Sequence, residues 1–246
     1  MAVDILIINS EILLYNLYAT SVAKSLKKKY GSDARIFWLS SSSNLKCLKF
    51  NTSIDQFLSY DDGVHLFQCY DIVLNFNFST DVINSVNTKE KFGIGCENEG
   101  IYRNVLSGEK KVNSNLYQVF FRLSKMTWKG EGIDLGYNPG RKQVKGNIGY
   151  YLSNAVAQET LIREFTGLNG SFTKIKKCGN ILKQMNILNK YEAVITDDLL
   201  IQLLSSSLRK EVYFLKTFPV NHKIEFFNNG RFFNVPNNWF LLNSGD

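Results

Sequence analysis

Apolar and polar residues follow one another along the first part of the chain in the order strand, helix, strand. Val3–Ile8 is a continuous run of β-branched residues and leucine, which is typical of a strand buried on both faces. Leu13–Tyr30 carries apolar residues at helical spacing and ends in a lysine-rich turn before Gly31, where a helix is expected to stop. Further strands are predicted at Ala34–Leu39 and Tyr70–Phe76. This βαβ order predicts a parallel sheet with right-handed crossovers.

Four other segments of the first half have a weaker pattern. Ser40–Asn44 is predicted to be a polar loop, and Thr52–Asp61 a short segment that ends in an acidic turn. Phe92–Gly95 is predicted to be a brief strand. Apolar side chains in Asn115–Met126 recur at helical spacing and predict one amphipathic helix.

The second half resumes the alternation at a smaller scale. Trp128–Lys145 is rich in glycine and has no period, so it predicts the junction between two domains, where ligand clefts often lie. Asn228-Asn229-Gly230 predicts a hairpin, because Asn-Gly supplies the positive φ of a tight turn. The predicted elements of this half are strands Asn147–Leu152, Ala193–Thr196 and Val212–Leu215, helices Ala155–Phe165, Ile181–Leu188 and Leu199–Leu208, and hairpin strands Lys223–Phe227 and Arg231–Val235.

Composition narrows the class of protein. Of the 246 residues 44% are hydrophobic and 21% are charged, so the chain can bury a core and is not disordered as a whole. No apolar run reaches the ~18 residues that a membrane-spanning helix needs. The first residues lack a basic region and a cleavage site, so they predict a strand and no signal peptide. We therefore expect a cytoplasmic protein of one or two domains.

Charge and candidate ligand residues exclude several kinds of site. The 29 Lys and Arg against 22 Asp and Glu give a net charge of +7, which suits a phosphorylated ligand or an anionic membrane surface. The basic residues form only short clusters without interleaved aromatics, so nucleic acid is the weakest of the possible partners. The four cysteines contain no Cys-x-x-Cys pair, and His65 and His222 are far apart. We expect reduced thiols, no metal and no cofactor.

The order of these elements resembles bacterial heptosyltransferase-type glycosyltransferases, the lipopolysaccharide heptosyltransferase family. That resemblance implies an α/β fold with two Rossmann-like βαβ domains (GT-B type), of which the C-terminal one is reduced. It places the acceptor-side domain at residues 1–127, a linker at 128–146 and the donor-side domain with its terminal hairpin at 147–246. The segments that carry the resemblance are Ile5–Ile8, Ser25–Leu39, Ser53–Asp61, Tyr70–Phe76, Lys91–Gly95, Trp128–Pro139 and Tyr191–Leu215.

The catalytic base of that family falls on different residues here. The family has a Gly-Asp pair after its first strand, and the aspartate deprotonates the acceptor hydroxyl. An alignment without gaps puts Leu14 and Tyr15 at these positions. The unperturbed pKa of tyrosine is ~10, so Tyr15 is a poor base near neutral pH. Glu11 is the nearest carboxylate, and the candidate catalytic residues are Glu11 and Tyr15. The alternative for Glu11 is an exposed acid favoured by the helix dipole.

The donor-binding turn of the family is altered as well. The family presents Asp-Thr-Gly-x-x-His at a helix N-terminus, where backbone N–H groups and the helix dipole favour a diphosphate. Here the glycine position is Leu200, and the histidine position is Leu203 or, after a shift of one residue, Gln202. The alternative role for Thr196 or Asp197 is helix N-cap. The candidate donor-binding residues are Thr196, Asp197, Asp198 and Gln202.

Two features of the second domain weaken the donor site further. The stretch from Tyr150 to Lys177 is short for the strand, helix and strand that the family has there. The family's phosphate-binding lysine, expected soon after the Tyr150–Ser153 strand, has no clear counterpart, because Asn154-Ala-Val-Ala-Gln-Glu stands there. Lys174, Lys176 and Lys177 are near the right region but are predicted to lie on a solvated edge.

Two functions of different classes follow. The first is transfer of a sugar from a nucleotide-sugar to a glycan or protein acceptor, in surface polysaccharide or glycoconjugate synthesis. The second is a catalytically inactive glycosyltransferase-like scaffold or binding subunit, a pseudoenzyme that acts through a protein partner or by self-assembly into a homo-oligomer. Either could associate peripherally with the inner face of the membrane.

Overall fold

The computed structural model describes residues 2–96, 115–137, 144–152, 163 and 166–216, and the backbone of 231–234. The chain divides into two compact units, one built on Met1–Tyr137 and the other on Asn138–Val220. Within the described residues each unit holds one five-stranded sheet whose paired strands are all parallel. The parallel sheets predicted from the βαβ order are therefore confirmed.

The first sheet has the strand order β3-β2-β1-β4-β5. Strand β1 lies at its centre, with Ile5 opposite both Ile36 and Ile72. Ile5 to Ile8 are fully buried, as expected for an apolar run that is covered on both faces. The strands are β1 Asp4–Ile8, β2 Arg35–Ser40, β3 Gln56–Ser59, β4 Cys69–Asn75 and β5 Asn87–Gly93.

Four helices of the first unit lie within the described residues. The long helix α1 is buried from Asn16 to Ala23, and its hydroxyls at Thr20 and Ser21 donate to carbonyls of the preceding turn, at 2.7 Å each. Tyr117 stands edge-on to Tyr18 and is stacked on Trp128, which fixes α4 against α1. The helices are α1 Leu13–Tyr30, α2 Ser42–Leu48, α3 Asp81–Ser85 and α4 Leu116–Leu123.

Residues 128–137, at the start of the predicted linker, are held against the first unit. The backbone N–H of Asp134 donates to Thr20 Oγ1 at 2.8 Å, and its carboxylate accepts from Ser53 Oγ at 3.0 Å. The side-chain amide of Asn51 donates to the Asp134 carbonyl at 2.5 Å. Gly136 has φ +61, and a Cβ there would lie 1.6 Å from the Phe50 carbonyl oxygen, so this segment needs glycine at that position.

The second sheet has the order β10-β9-β8-β6-β7. Its core contains Ile148, Ala193, Ile195, Tyr213 and Leu215. The strands are β6 Asn147–Tyr151, β7 Ser171–Lys174, β8 Ala193–Thr196, β9 Glu211–Lys216 and β10 Arg231–Asn234, and the helices with described bounds are α5 Ile181–Leu188 and α6 Leu199–Ser207.

Three predictions about these elements are wrong. The polar stretch Ser40–Asn44 contains the end of β2 and the start of α2, because Ser41 is extended and leads into the helix. The brief strand at Phe92–Gly95 is instead the longer β5, whose exposed Asn87, Lys89 and Glu90 conceal it. The stretch after Tyr150 does hold a second strand, β7, which pairs with β6 from Asn147↔Ser171 to Tyr150↔Lys174.

Two other predictions fall largely outside the described residues. These are the helix at Ala155–Phe165 and the hairpin strand Lys223–Phe227 with its Asn-Gly turn. Strand β10, the other strand of the predicted hairpin, pairs in parallel with β9, from Arg231↔Tyr213 to Asn234↔Lys216.

Candidate functional site

The strand orders place one ligand-binding position in each sheet. In open parallel sheets, ligands bind at the carboxyl ends of the strands, where the strand order changes direction. In the first sheet this switch point lies between β1 and β4, and in the second between β6 and β8. The residues that follow these four strands are 9–12, 76–80, 152 onward and 197–198. The candidate residues predicted from the sequence fall in or next to these segments.

Glu11 lies in the loop between β1 and α1, at the first switch point. Its Oε1 accepts the backbone N–H of Phe78, which follows β4, at 2.8 Å. Its carbonyl accepts the side-chain amides of Asn16 at 2.8 Å and Asn44 at 2.9 Å. These bonds fix both the backbone and the carboxylate of Glu11. The carboxylate is therefore held in place by an uncharged donor, and Glu11 is only partly exposed.

Tyr15 lies in the first turn of α1, close enough to sense that carboxylate. Burial raises the pKa of the Tyr15 phenol, and the negative charge of Glu11 raises it further. The phenol is accordingly neutral at physiological pH. It can donate a hydrogen bond but cannot take a proton from a hydroxyl, so Glu11 is the better candidate for a base.

Tyr60 is a third group at this switch point, and sequence reasoning missed it. It follows β3, and its hydroxyl accepts the side-chain amide of Asn77 at 2.6 Å. Burial raises the pKa of Tyr60; hydrogen bonds from Ser10 and Asn77 oppose the shift, and the charge of Glu11 adds to it. The negative charge of Glu11 thus raises the pKa of two phenols, Tyr15 and Tyr60.

Two asparagines hold these loops together. Asn77 Oδ1 accepts the backbone N–H of Ser10 at 2.6 Å, which ties the loop after β4 to the loop after β1. Asn75, fully buried at the end of β4, donates to the carbonyls of Asn77, Ser79 and Ile94 at 3.3, 3.3 and 2.9 Å. The only signal in the sequence is the run Asn75-Phe-Asn77 after a buried strand. That run does not reveal which carbonyls these amides would meet.

In the second unit, Thr196 and Asp198 build the turn between β8 and α6. Thr196 Oγ1 accepts the Asp198 backbone N–H at 3.0 Å. Asp198 Oδ1 then accepts the Ile201 N–H at 2.9 Å, so the helix N-cap is Asp198. The interpretation of Thr196 or Asp197 as N-cap is wrong, because the helix begins at Leu199 and its N-cap is Asp198, whose side chain accepts the first-turn N–H of Ile201.

Lys177 is a candidate site residue that the sequence did not single out. Its Nζ lies 2.5 Å from Asp198 Oδ2 and 5.6 Å from the centre of the Tyr151 ring, at the end of β6. Burial disfavours the charged form of Lys177, but the hydrogen bond and charge of Asp198, with Tyr151 and Asp197, outweigh it and raise the pKa. Lys174, Lys176 and Lys177 are all exposed as predicted, and Lys177 in addition forms an ion pair with Asp198.

Asp197 and Gln202 are the remaining donor-side candidates. Both are fully buried. The charge of Asp197 acts on Lys177, so this carboxylate belongs to the same electrostatic cluster. Gln202 lies one turn into α6, where its backbone N–H donates to the Asp198 carbonyl at 2.9 Å. Direct bonds therefore join Thr196, Asp198 and Lys177, while Gln202 lies on the buried side of the helix.

Two further searches bear on function. Among residues 2–96, 115–137, 144–152 and 166–216, no three His, Cys, Asp or Glu side chains are grouped so that they could hold a metal ion. No helix in the described part of the chain is long and apolar enough to cross a membrane.

Comparison with known proteins supplies the fold family. The sequence matches no protein-family model and none of the curated proteins searched. The structure is similar to E. coli ADP-heptose LPS heptosyltransferase II, with a TM-score of 0.62 and 11% identity over 96% of this chain and 92% of that one. It is also similar to E. coli heptosyltransferase WaaC with ADP, with a TM-score of 0.59 and 10% identity over 96% and 92% of the two chains.

A third similar structure is a glycosyl transferase of family 9 from Veillonella parvula, with a TM-score of 0.60 and 9% identity over 94% of this chain and 85% of that one. At these identities the likeness establishes the fold. The chain has an α/β fold with two Rossmann-like βαβ units of the GT-B type, and the C-terminal unit is reduced.

Proposed function

We propose that this chain is a glycosyltransferase that moves a sugar from a nucleotide-sugar to a hydroxyl of a glycan or protein acceptor, in surface polysaccharide or glycoconjugate synthesis. The observation that carries the proposal is the carboxylate of Glu11, which the Phe78 N–H holds at the switch point of a Rossmann-like sheet. In this assignment the first unit activates the acceptor and the second binds the donor. The similar solved structures support the same class of reaction.

Glu11 acts as the general base in this proposal. An alcohol is a weak nucleophile until its proton has an acceptor, and a fixed carboxylate supplies one. Oε1 accepts a backbone N–H, and no hydrogen bond among the described residues engages Oε2. Oε2 takes the hydroxyl proton as the acceptor oxygen bonds to the anomeric carbon. The bond from that carbon to the diphosphate breaks, and the leaving diphosphate keeps the electron pair. Tyr15 remains protonated and donates a hydrogen bond to the acceptor.

Lys177 is the donor-side residue that this chemistry requires. The leaving diphosphate gains negative charge, and an ammonium near it stabilises that charge. Lys177 lies at the second switch point with Thr196, Asp197 and Asp198, and 41% of its side chain is exposed, so it can reach a ligand. Gln202 supports the helix that carries this turn.

Calorimetry with a panel of ADP-, UDP- and GDP-sugars tests the donor half of the proposal. We expect one nucleotide-sugar to release heat and to raise the melting temperature of the chain. The K177M variant should lose most of that affinity, because it keeps the length of the side chain without its charge. K176M, which removes the neighbouring exposed lysine, is the matched control. Absence of heat and of a melting shift with every donor contradicts the proposal.

A second candidate function is an inactive scaffold that acts through a protein partner or by self-assembly. The observation in its favour is that Asp198 already occupies the N-terminus of α6, where the resembled family binds a diphosphate. The residues Leu14 and Tyr15, which stand in place of the family's Gly-Asp pair, also favour an inactive scaffold. A purified chain that is strictly monomeric and turns over a nucleotide-sugar excludes this candidate. The net charge of +7 supports peripheral contact with an anionic membrane in either case.

A further inference from the structure

The second switch point already contains an anion, and that anion belongs to the chain. The carboxylate of Asp198 accepts the first-turn N–H of Ile201 through one oxygen and the Lys177 ammonium through the other, at 2.9 and 2.5 Å. Helix N-termini and lysines are both groups that bind phosphate oxygens. Asp198 therefore engages both kinds of group that a diphosphate would use here.

We propose that Asp198 is the specificity-determining residue of the donor side, because its carboxylate competes with an anionic ligand for Lys177 and for the α6 N-terminus. This inference rests on the proposed function. A diphosphate can bind the native cluster only after it has displaced Asp198 from Lys177. The cluster thereby selects against free phosphate and pyrophosphate and favours donors whose sugar and nucleoside supply additional binding energy.

The side-chain exposures of Lys177 and Asp198 differ, and the difference indicates which of the two side chains can turn towards a ligand. The Asp198 side chain is 14% exposed and is held by its cap to Ile201, while its backbone is fixed by Thr196. The Lys177 side chain is 41% exposed and lies over the Tyr151 ring. Lys177 is thus the mobile partner, which can turn from Asp198 to a phosphate. The Asp198 carboxylate stays where it is and repels that phosphate.

The charge of the cluster supports the same conclusion. Within it, the carboxylates of Asp197 and Asp198 outnumber the single ammonium of Lys177, and both act on that lysine. Asn180, the N-cap of α5, accepts the Lys183 N–H at 2.9 Å through an uncharged side chain. Capping in this unit therefore does not require a negative charge. The negative charge at residue 198 is therefore not needed to cap α6.

The test is D198N, because asparagine is as good an N-cap as aspartate and removes only the charge. Binding of inorganic pyrophosphate and of ADP is measured by calorimetry on the full chain. We expect D198N to bind both at least about tenfold more tightly than the native chain, since one negative charge next to the ligand is lost. The double variant K177M/D198N should lose this gain. E211Q, which removes one negative charge at the amino end of β9, should leave both affinities unchanged.

The outcomes separate this inference from the proposed function. If the native chain binds a nucleotide-sugar but D198N binds no more tightly, the inference is overturned and the proposed function stands. If D198N gains affinity for pyrophosphate but no nucleotide-sugar binds either protein, the inference stands and the proposed donor is wrong. If neither protein binds any of the probes although D198N melts like the native chain, the inference is overturned. An equal gain in E211Q also overturns it, because the effect is then one of overall charge.

Discussion

At the switch point of the first sheet the carboxylate of Glu11 accepts an uncharged backbone N–H, whereas at that of the second sheet the carboxylate of Asp198 is bound to an ammonium. The first arrangement fixes the position of a carboxylate, which forms no ion pair within the part of the chain that the structure describes. The second neutralises the charge and occupies a helix N-terminus. Two carboxylates at the switch points of two similar sheets can therefore have opposite chemical availability.

The scaffolds behind the two carboxylates explain this difference. Around Glu11 the supporting groups are amides and backbone N–H groups, of which Asn75 and Asn77 contribute the most bonds. Amides satisfy buried carbonyls without adding charge. Around Asp198 the supporting groups are a hydroxyl, a helix N–H and Lys177. A neutral scaffold suits a base, and a charged one suits an ion pair.

The variant with the largest expected effect tests whether the Glu11 carboxylate acts as a base. E11Q keeps an oxygen for the Phe78 N–H and removes the charge, so the fold should be unchanged. We expect the rate of sugar transfer to fall by about a thousandfold, the middle of the range for the loss of a general base. Rates are measured with the donor that the calorimetric panel identifies.

E90Q is the matched control, because Glu90 is an exposed carboxylate on β5 of the same unit. It should transfer sugar at the native rate. A rate for E11Q within twofold of the native rate would show that Glu11 is only a structural acid at the start of a helix. The proposed chemical difference between Glu11 and Asp198 would then be wrong.

The variant with the next largest expected effect tests the side-chain amides of Asn75 and Asn77, which form the scaffold around Glu11. N75A removes a fully buried side chain that donates to three carbonyls, and all three lose this hydrogen bond. We expect the free energy of unfolding to fall by about 3 kcal/mol, since each unsatisfied buried group costs about 1–3 kcal/mol. Urea denaturation measures it. N84A, an asparagine exposed on α3, should change it by less than about 0.5 kcal/mol. Equal losses in both variants would contradict the scaffold.

The buried strands and long helices could be predicted because their patterns are strong. The apolar run at the start of the chain predicts β1, and the periodic segment Leu13–Tyr30 predicts α1. The structure confirms both elements. Elements at the borders of the sheets could not be predicted in this way. Strand β5 is an edge strand of the first sheet, and its side chains are mostly exposed and polar. Strand β7 is an edge strand of the second sheet, and its one aromatic residue, Phe172, is only half-buried. A hydrophobic pattern requires burial, and edge strands have little of it.

The candidate site was predictable only where function lies next to a strand end. Glu11 and Asp198 lie within three residues of a strand end, and the resemblance to the family's motifs led to both. Lys177 was missed because its partner Asp198 is 21 residues away, and Asn77 because it meets Ser10 over 67 residues. Hydrogen bonds between residues that far apart depend on the packing of loops, and no local pattern encodes them. The cap was misplaced by one or two residues for the same reason, since Thr196 turns the chain before the helix starts.

The smallest expected effect is a pH dependence beside the first switch point. His65 is 5% exposed, stands edge-on to Tyr60, and has no hydrogen-bond partner for Nδ1 among the described residues. Burial lowers the pKa of His65 below its ordinary value of 6.5. Between these two pKa values the unfolded chain binds more protons than the folded one. Above pH 6.5 His65 is neutral in both states and does not lower the free energy of unfolding. As the pH falls from 6.5 towards the lower pKa of His65 in the folded chain, the free energy of unfolding falls.

H65F removes the titration and retains an aromatic ring against Tyr60. Urea denaturation of both proteins at pH 7.5 and pH 5.5 should show a smaller loss of stability on acidification in H65F than in the native chain. Tyr60 is also bonded to Asn77, so the native loss should be accompanied by a change in tyrosine absorbance that H65F lacks. Identical losses in the two proteins would place the acid sensitivity elsewhere.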